Sequence, residues 1–323
     1  MSLRLVYGRA GSGKSFFCLN DIKSKLNDGR STPLILIVPE QFTLQAEKNL
    51  VKAVGTGGIM RAEVLSFRRM AHRVFNEVGG AVRRHINSAG KCMLICRVID
   101  SMKDELKVFS KAAGQQGFVG VISDIIAEFK RYNVTPEHLK DLGKRIDGDE
   151  LLKSKLEEIG AIYEKFEKKL HERYIDSDDD LTELAKKVQS SGYLDGAEIW
   201  IDEFSGFTPQ EYKVIEELLK KAERVSICLC TDCLEGNCDI DGTDVFSPSR
   251  NAAARLLRIA GSCGIGVEEP VRCGADRKSG ISLEDGTDFD AGAGRFRHSR
   301  EIAHLERNIF SYPYKVFPYK TRD

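Results

Sequence analysis

Short apolar runs alternate with amphipathic segments at both ends of the chain. Residues 3–7 and 33–38 are mostly apolar, which predicts strands that are covered on both faces. Residues 60–65 are predicted as a third strand, and residues 14–27 have the spacing of apolar positions that a helix requires. Strands that alternate with helices predict an α/β fold with a parallel sheet and right-handed crossovers.

Three loops follow these predicted strands, at residues 8–15, 39–43 and 66–69. The carboxyl ends of parallel strands meet at one edge of a sheet, and ligands bind there. We therefore expect the three loops to share that edge.

The middle of the chain has a different pattern, with almost no strand-like run. Apolar residues at helical spacing cover residues 91–102, 119–132 and 151–174, and charged residues fill the opposite face. This pattern predicts a helical domain inserted into the sheet domain. The predicted parts are residues 1–82 (first part of the sheet domain), 83–192 (inserted helical domain) and 193–323 (second part, with the start of a further region near the C-terminus).

An acidic run at residues 176–180 precedes Leu181 in the helical block. Acidic side chains in the first turn of a helix complement its dipole and bind its free N–H groups. A metal site built from the same carboxylates is the alternative. We expect helix capping in a solvated turn.

The strongest chemical signal directly follows the first predicted strand. Eight consecutive residues fit the pattern G-x-x-x-x-G-K-[ST] of phosphate-binding loops: Gly8, Arg9, Ala10, Gly11, Ser12, Gly13, Lys14 and Ser15. The glycines let successive N–H groups close around phosphate oxygens at the start of a helix. Lys14 is predicted to bind the terminal phosphates, and Ser15 to offer its hydroxyl to Mg²⁺. ATP with Mg²⁺ is therefore the expected cofactor.

A second part of such a site is predicted at residues 199–203, a short apolar run that ends in Asp202 and Glu203. In phosphate-loop nucleoside triphosphatases, an acid at this position holds Mg²⁺ and another residue orients the attacking water. We assign Asp202 to the Mg²⁺ site together with Ser15, and Glu203 to the water. The predicted catalytic residues are Lys14, Asp202 and Glu203.

Composition excludes some other functions. The 323 residues carry 49 basic and 49 acidic side chains, so no overall field draws the chain to nucleic acid, and DNA binding requires a local patch. No apolar run is long enough to span a membrane, and no signal peptide is present, so the nine cysteines are predicted to be reduced thiols in the cytoplasm.

Four of these cysteines lie close together in the sequence: Cys228, Cys230, Cys233 and Cys238. Their spacing fits no common zinc frame, and the first two lie two apart on a predicted strand. We expect them to be strand and loop residues, and we expect no stoichiometric zinc or iron in this chain.

An ordered set of short motifs resembles one protein family. Besides the phosphate loop, the chain carries VPEQFT at residues 38–43, LSFRRMA at 65–71, IDEF at 201–204 and FTPQE at 207–211. A His-Leu-Glu sequence follows at residues 304–306. Together these motifs closely resemble the AddB subunit of the bacterial AddAB helicase–nuclease, called RexB in some bacteria. The resemblance extends over the whole chain.

The resemblance implies a RecA-like motor-type domain of the superfamily 1 helicase kind with a helical insertion. It implies a role in processing broken DNA ends for recombination, recognition of Chi, and AddA as the partner in a heterodimer. Single-stranded and duplex-end DNA would be the nucleic-acid partners, with no membrane. The expected DNA-binding residues are Gln41, Phe42, Ser66, Phe67, Arg68 and Arg69, although an aromatic such as Phe67 more often packs inward.

The sequence departs from the helicase pattern in two places. Helicases of this superfamily usually carry an adenine-reading glutamine segment before the phosphate loop, whereas only seven residues precede Gly8 here, so we expect weak selectivity for the base. In addition, no Gly-Asp…Gln motif follows residues 225–230. AddB is regarded as a degenerate helicase, and its nuclease domain and 4Fe–4S cluster are expected in a C-terminal region beyond this chain. We therefore expect an N-terminal fragment that binds nucleotide, hydrolyses it slowly or not at all, and does not cut DNA. The alternatives are a self-contained phosphate-loop ATPase or kinase, and a structural module with a vestigial loop.

Overall fold

The computed structural model describes residues 1–28, 31–55, 61–79, 84–115, 117–234, 244–274, 281–282, 288–289, 299–309, 313 and 315–317. The chain divides into two compact units. The sheet unit comprises Met1–Phe67, Gly192–Phe207 and Glu216–Asp323, and the helical unit comprises Arg68–Ser191 and Thr208–Ile215.

The elements of the described residues are numbered in chain order. The strands are β1 Ser2–Gly8, β2 Leu34–Ile37, β3 Ala62–Leu65, β4 Arg84–His85, β5 Tyr174–Ile175, β6 Glu198–Ile201, β7 Arg224–Cys230, β8 Gly266–Val267, β9 Val271–Arg272, β10 Ile281–Ser282 and β11 Asp288–Phe289. The α-helices are α1 Lys14–Leu26, α2 Thr43–Val54, α3 Phe67–Val78, α4 Ser88–Asp100, α5 Phe118–Arg131, α6 Pro136–Arg145, α7 Glu150–His171, α8 Asp180–Lys187, α9 Pro209–Leu219, α10 Ser247–Ser262 and α11 Arg300–Asn308.

A seven-stranded sheet forms the centre of the sheet unit. Its strand order is β3-β2-β6-β7-β1-β8, with β9 also paired to β1, and every one of these pairs is parallel. Every residue of β2 and β6 is buried, as expected for strands covered on both faces. The α/β fold with a parallel sheet is therefore confirmed.

The parallel order places the carboxyl ends of the central strands at one edge of the sheet. Gly8 ends β1, Ile37 ends β2, Leu65 ends β3 and Ile201 ends β6. The prediction that the loops after β1, β2 and β3 begin at a common edge is confirmed. The strand β7 lies between β1 and β6, so it separates the phosphate loop from the strand that leads to Asp202.

The core of the sheet unit on one face of the sheet includes the fully buried Trp200 of β6. The apolar side chains of α1 and α2, such as Ile22 and Leu50, pack in the same cluster. The indole N–H of Trp200 donates a hydrogen bond of 3.0 Å to Asp21 on α1, which satisfies the polar atom of this large buried ring.

The helical unit has its own core, formed mainly by α4, α5 and α7. Its fully buried residues include Ile95 of α4, Ile126 of α5 and Phe166 of α7. The unit starts at Arg68, whereas the predicted insertion covers residues 83–192. Within the unit, the hydroxyl of Ser191 donates a hydrogen bond to Glu77 of α3. The only strands described in this unit are the two-residue pair β4 and β5.

Two reciprocal hydrogen bonds cap the start of α9. The backbone N–H of Thr208 donates to Glu211 at 2.7 Å, and the N–H of Glu211 donates to the Thr208 hydroxyl at 3.3 Å. Pro209 is the first helical residue. This reciprocal pair is a capping box, and it satisfies two N–H groups that the helix itself leaves free.

Candidate nucleotide-binding site

The loop between β1 and α1 has the backbone that a phosphate cradle requires. Gly11 and Gly13 have positive φ angles of 75° and 98°, which side chains other than glycine rarely adopt. Gly8 is required for a different reason, because a Cβ at this position would collide with Ser12 and lie 2.8 Å from the carbonyl oxygen of Cys273. Helix α1 begins directly after Gly13, so its N-terminus faces the loop.

Two side chains of the loop have unused capacity to bind an anion. The Lys14 ammonium donates to the loop's own carbonyl oxygens, at 2.8 Å to Gly8 and 3.0 Å to Arg9. The hydroxyl of Ser12 is buried without a hydrogen-bond partner in the described part of the chain. A phosphate group in the loop would supply acceptor oxygens to both side chains, so these residues fit a nucleotide.

The acids after β6 have a distinct geometry. Asp202 is 5% exposed, and its carboxylate accepts the backbone N–H of Glu203 at 2.8 Å. Glu203 has a positive φ of 67°, a conformation that is costly for a residue with a side chain and is concentrated at functional sites. Partial burial and the neighbouring charge of Asp202 raise the pKa of Glu203.

One cavity brings the two halves of the site together. It has a volume of about 270 Å³. Its lining residues are Lys14, Ser15, Asp202, Glu203, Phe204, Ser205, Cys228 and Cys230. The sequence predicted that Lys14, Ser15, Asp202 and Glu203 act at one site, and the structure places all four on this cavity.

Two thiols in contact with each other lie beside this cavity. No sequence pattern indicates this contact. The sulfur of Cys18 on α1 is 3.3 Å from the sulfur of Cys228 on β7, and both residues are buried. The contact with Cys18, burial and the charge of Asp202 raise the pKa of the Cys228 thiol. The Cys228 thiol is therefore neutral in this arrangement.

The cysteines at residues 228–238 are partly as expected. Cys228 and Cys230 lie on β7, as predicted, and Cys238 lies outside the described residues. Cys233 is disulfide-bonded, which corrects the expectation that all cysteines are reduced. It lies in the loop after β7, and the pairing of a loop cysteine depends on the path of the loop, which sequence spacing does not show. The free cysteines of the described residues are Cys18, Cys92, Cys96, Cys228, Cys230, Cys263 and Cys273.

The residues expected to contact DNA have different exposures. Gln41 and Phe42 are exposed, whereas Ser66 is buried and donates its hydroxyl to Glu40. Phe67 is 5% exposed, and its ring packs edge-on against Phe204 with 5.5 Å between centroids. In this conformation Phe67 is a packing residue and has no open face on which a base could stack.

The remaining two residues of that set, Arg68 and Arg69, belong to the helical unit and begin the exposed side of α3. Adjacent exposed cations are typical of contacts with phosphate or solvent. Their exposure leaves them accessible to a nucleic-acid backbone.

The acidic run at residues 176–180 binds two buried lysines. The Lys91 ammonium lies 2.7 Å from Asp176 and 2.7 Å from Asp178. The Lys130 ammonium lies 2.8 Å from Asp179 and 3.3 Å from Asp176. A buried cation already neutralises these carboxylates, which favours a structural role over a metal site.

Part of the run also caps a short helix. The carboxylate of Asp176 accepts the backbone N–H of Asp178 at 3.3 Å, at the start of the single 3₁₀ turn Ser177–Asp179. Capping was predicted, but in a solvated turn, whereas Asp176 and Asp180 are buried. The difference arises because the lysine partners lie far away in the sequence.

A contact that sequence reasoning missed holds the phosphate loop from the C-terminal side. Arg9 donates to the carboxylate of Glu306 at 2.8 Å and to the backbone oxygen of Glu306 at 2.7 Å. The guanidinium of Arg9 also lies over the ring of Phe246, at 5.3 Å from its centroid. Glu306 lies in the His-Leu-Glu motif, but nothing in that motif indicates its partner.

Comparison with known proteins decides the family. A family model described as "ADDB, N-terminal" matches residues 5–306. The chain belongs to the AddB N-terminal family. Among AddB relatives, the B-subunit of the ATP-dependent helicase/deoxyribonuclease of Acetivibrio thermocellus is 51% identical over 323 residues. The proteins of the same name from Clostridium botulinum and a Thermoanaerobacter species are 49% and 47% identical over the same length.

These matches cover 100% of this chain but only 27%, 27% and 26% of the three relatives. The chain therefore spans about a quarter of the length of the AddB proteins that it matches. Among the helices that the structure describes, none combines the length and the apolar character that a membrane span requires.

Proposed function

We propose that this chain is the nucleotide-binding, helicase-like region of an AddB-type protein and that it binds ATP with Mg²⁺. The observation that carries the proposal is the single cavity lined by Lys14, Ser15, Asp202 and Glu203. The phosphate loop and the acids after β6 come from distant parts of the sequence. Their convergence is the arrangement that phosphate-loop nucleoside triphosphatases use.

Each residue has a defined role in this proposal. The backbone N–H groups of residues 8–15 surround the phosphates, and Lys14 exchanges its two carbonyl partners for phosphate oxygens. Ser15 and Asp202 hold the Mg²⁺ ion, which neutralises charge on the phosphates when it is bound. Glu203 accepts a hydrogen bond from the attacking water. We expect binding to depend mainly on the phosphates, with weak preference for the base.

We further propose that this region hydrolyses ATP slowly or not at all by itself. Rapid phosphoryl transfer in related enzymes uses an arginine that stabilises the transferring group, an effect of about 10³ to 10⁵ in rate. Lys14 is the only cation among the described residues that line the cavity. An arginine from another domain or protein would have to complete the site.

In the whole protein, we propose a role at broken DNA ends. The relatives are named as parts of a helicase/deoxyribonuclease, which supports DNA as the substrate of the complete assembly. We place this region in the cytoplasm, in a heterodimer with an AddA-type motor, where it contributes to the processing of double-strand breaks for recombination and to Chi recognition. We propose that the nuclease and its 4Fe–4S cluster lie in another region of the whole protein, since this chain matches only 27% of the length of these relatives.

The turnover of ATP by the 323-residue chain tests the enzymatic part of the proposal. We expect negligible turnover both with and without single-stranded DNA, because Lys14 is the one cation among the described residues of the cavity lining. A rate of several turnovers per second that DNA stimulates, and that Glu203→Gln abolishes, would make this chain a motor in its own right and overturn the proposal.

For DNA binding we propose contacts by the exposed residues Gln41, Phe42, Arg68 and Arg69, with Ser66 and Phe67 in supporting, buried positions. Replacing both Arg68 and Arg69 by Ala should weaken binding of all single-stranded sequences alike and lower the salt slope by roughly one to two units. The matched control replaces Lys168 and Lys169, an adjacent exposed pair on α7, by Ala. Equal salt slopes for the two double variants would exclude Arg68 and Arg69 as phosphate contacts.

A further inference from the structure

Three side chains beside the proposed nucleotide site converge on one buried point. The sulfurs of Cys18 and Cys228 and a carboxylate oxygen of Asp202 all lie within 4.8 Å of one another. The two sulfurs are 3.3 Å apart. None of the three residues is more than 5% exposed.

The fold explains why residues so distant in sequence meet. Strand β7 runs between β1 and β6, and Ile227 of β7 pairs with Ile201 of β6. Cys228 follows Ile227 and Asp202 follows Ile201, so these two residues come next to each other at the ends of neighbouring strands. Helix α1 starts at the phosphate loop and packs on the sheet, and its fifth residue is Cys18. Three separate parts of the chain thus contribute one donor atom each.

The donor set has a specific chemical preference. Two thiolates and one carboxylate suit a thiophilic divalent cation such as Zn²⁺, whereas Mg²⁺ prefers ligands that are all oxygen. We propose that Cys18, Cys228 and Asp202 form a binding site for Zn²⁺, next to the proposed Mg²⁺–nucleotide site and sharing Asp202 with it. This revises the expectation that the chain holds no zinc, which considered only the cysteines at residues 228–238.

The geometry requires little movement. Two sulfurs bound tetrahedrally at about 2.3 Å from zinc are roughly 3.8 Å apart, so the thiols need to separate by about half an ångström. One oxygen of Asp202 accepts the N–H of Glu203, which leaves the other oxygen for the metal. Asp202 and Cys228 also line the cavity, so water can fill the fourth position. On binding, each thiol releases one proton to solvent.

Sharing Asp202 has a consequence that rests on the proposed nucleotide function. A carboxylate oxygen that binds Zn²⁺ is no longer available to Mg²⁺. Zinc and Mg²⁺–ATP should therefore weaken each other's binding by the same factor, as linkage requires. Metal binding by the two thiols does not require a functional nucleotide site, so the two proposals can fail separately.

Cadmium is a suitable probe, because Cd²⁺ takes the same ligands and a thiolate–Cd²⁺ bond absorbs in the ultraviolet. The metal-free 323-residue chain is titrated with Cd²⁺ under argon without added reductant, so that the disulfide of Cys233 stays intact. We expect one Cd²⁺ per chain with an absorbance that corresponds to two thiolates, displaced by Zn²⁺. Cys18→Ser and Cys228→Ser should each remove this high-affinity uptake. The control Cys96→Ser, at an exposed free cysteine on α4, should keep it.

Lys14→Ala separates this site from nucleotide binding, since it should abolish nucleotide binding and leave Cd²⁺ uptake unchanged. If either serine variant does not show the circular dichroism spectrum of the wild type, Asp202→Asn replaces it as the test. This variant keeps both thiols, and its affinity for Cd²⁺ should fall at least tenfold. A wild-type chain that takes up no Cd²⁺ would overturn the proposal, as would variants of Cys18 and Cys228 that bind it as tightly as the wild type.

Discussion

Arg9 of the phosphate loop makes two hydrogen bonds to Glu306, one to its carboxylate at 2.8 Å and one to its backbone oxygen at 2.7 Å. The partners are 297 residues apart in the sequence. The contact fixes one side of the loop to α11. A loop held in this way loses less conformational freedom when it binds phosphate, so the contact should contribute to nucleotide affinity.

We expect Arg9→Ala to weaken nucleotide binding by a few-fold. Both side chains are partly exposed, so solvent screens the ion pair and its contribution is about 1 kcal/mol or less. Glu306→Ala should have a smaller effect, because its backbone oxygen still accepts from Arg9. The measurement is a titration with a fluorescent nucleotide in a double-mutant cycle, and strictly additive effects of the two substitutions would show that the contact is not coupled to binding.

The buried lysine of the helical unit should be essential for stability. Lys130→Met keeps the length of the side chain but leaves Asp176, Asp179 and Glu167 without their shared cation. Asp176 keeps a second lysine partner, but Asp179 and Glu167 lose their lysine in a largely buried place, which should lower the free energy of unfolding by roughly 3–5 kcal/mol. Lys144→Met is the control, since Lys144 is 75% exposed and pairs only at the surface of α6. Denaturant unfolding that shows equal losses for both variants would refute this role for Lys130.

Asp179 should give the stability of the chain a specific pH dependence. Burial raises the pKa of Asp179 from 3.8 to about 6, although Lys130 opposes the shift. The folded state therefore binds more protons than the unfolded state between these values. The contribution of Asp179 to stability is present at the acidic end of this window and is lost as the pH rises through about 6.

Comparison with Asp179→Asn isolates this effect. The stability of the wild type minus that of the variant should fall as the pH rises from 3.8 to about 6, the range set by the two pKa values. Asp141→Asn provides a control of opposite sign, because Lys144 holds the pKa of Asp141 below its usual value. A difference for Asp179→Asn that is flat or rises with pH would show that its pKa is not raised.

A single methyl group at Gly8 should disrupt the phosphate loop. The Cβ of Gly8→Ala would collide with Ser12 and with the backbone oxygen of Cys273, so the loop must move. We expect nucleotide affinity to fall at least tenfold, about 1.4 kcal/mol. Gly120→Ala on α5 is the matched control, because nothing lies within 4 Å of its new Cβ, and a helical alanine is favourable. Equal nucleotide affinity in both variants would contradict the strained-loop account.

Local sequence patterns were sufficient to predict the fold and half of the candidate site. The apolar runs predicted β2 and β6, because strands buried on both faces leave no polar position. The phosphate loop and the capping box at Thr208 were predictable because all their partners lie within a few residues. The parallel order then brought Asp202 to the cavity, as the position of the acids at a strand end indicated.

The remaining features depend on contacts between residues that are far apart in the sequence, which local patterns do not indicate. The Cys18–Cys228 contact joins residues 210 apart, and Lys91 lies 87 residues before Asp178. The ring of Phe67 packs against Phe204, and the strand order β3-β2-β6 brings these two residues near each other. For these residues the sequence shows the chemistry of each side chain but not which side chain it meets.

The most direct test of nucleotide binding is a titration of the wild-type chain and Lys14→Ala with ATP in the presence and absence of Mg²⁺. Asp202→Ala supplies a second variant on the metal side of the same cavity. We expect saturable, Mg²⁺-dependent binding by the wild type, similar affinity for GTP, and no binding by Lys14→Ala. Binding by the wild type no tighter than that of Lys14→Ala would contradict the central claim and show that the phosphate loop is vestigial.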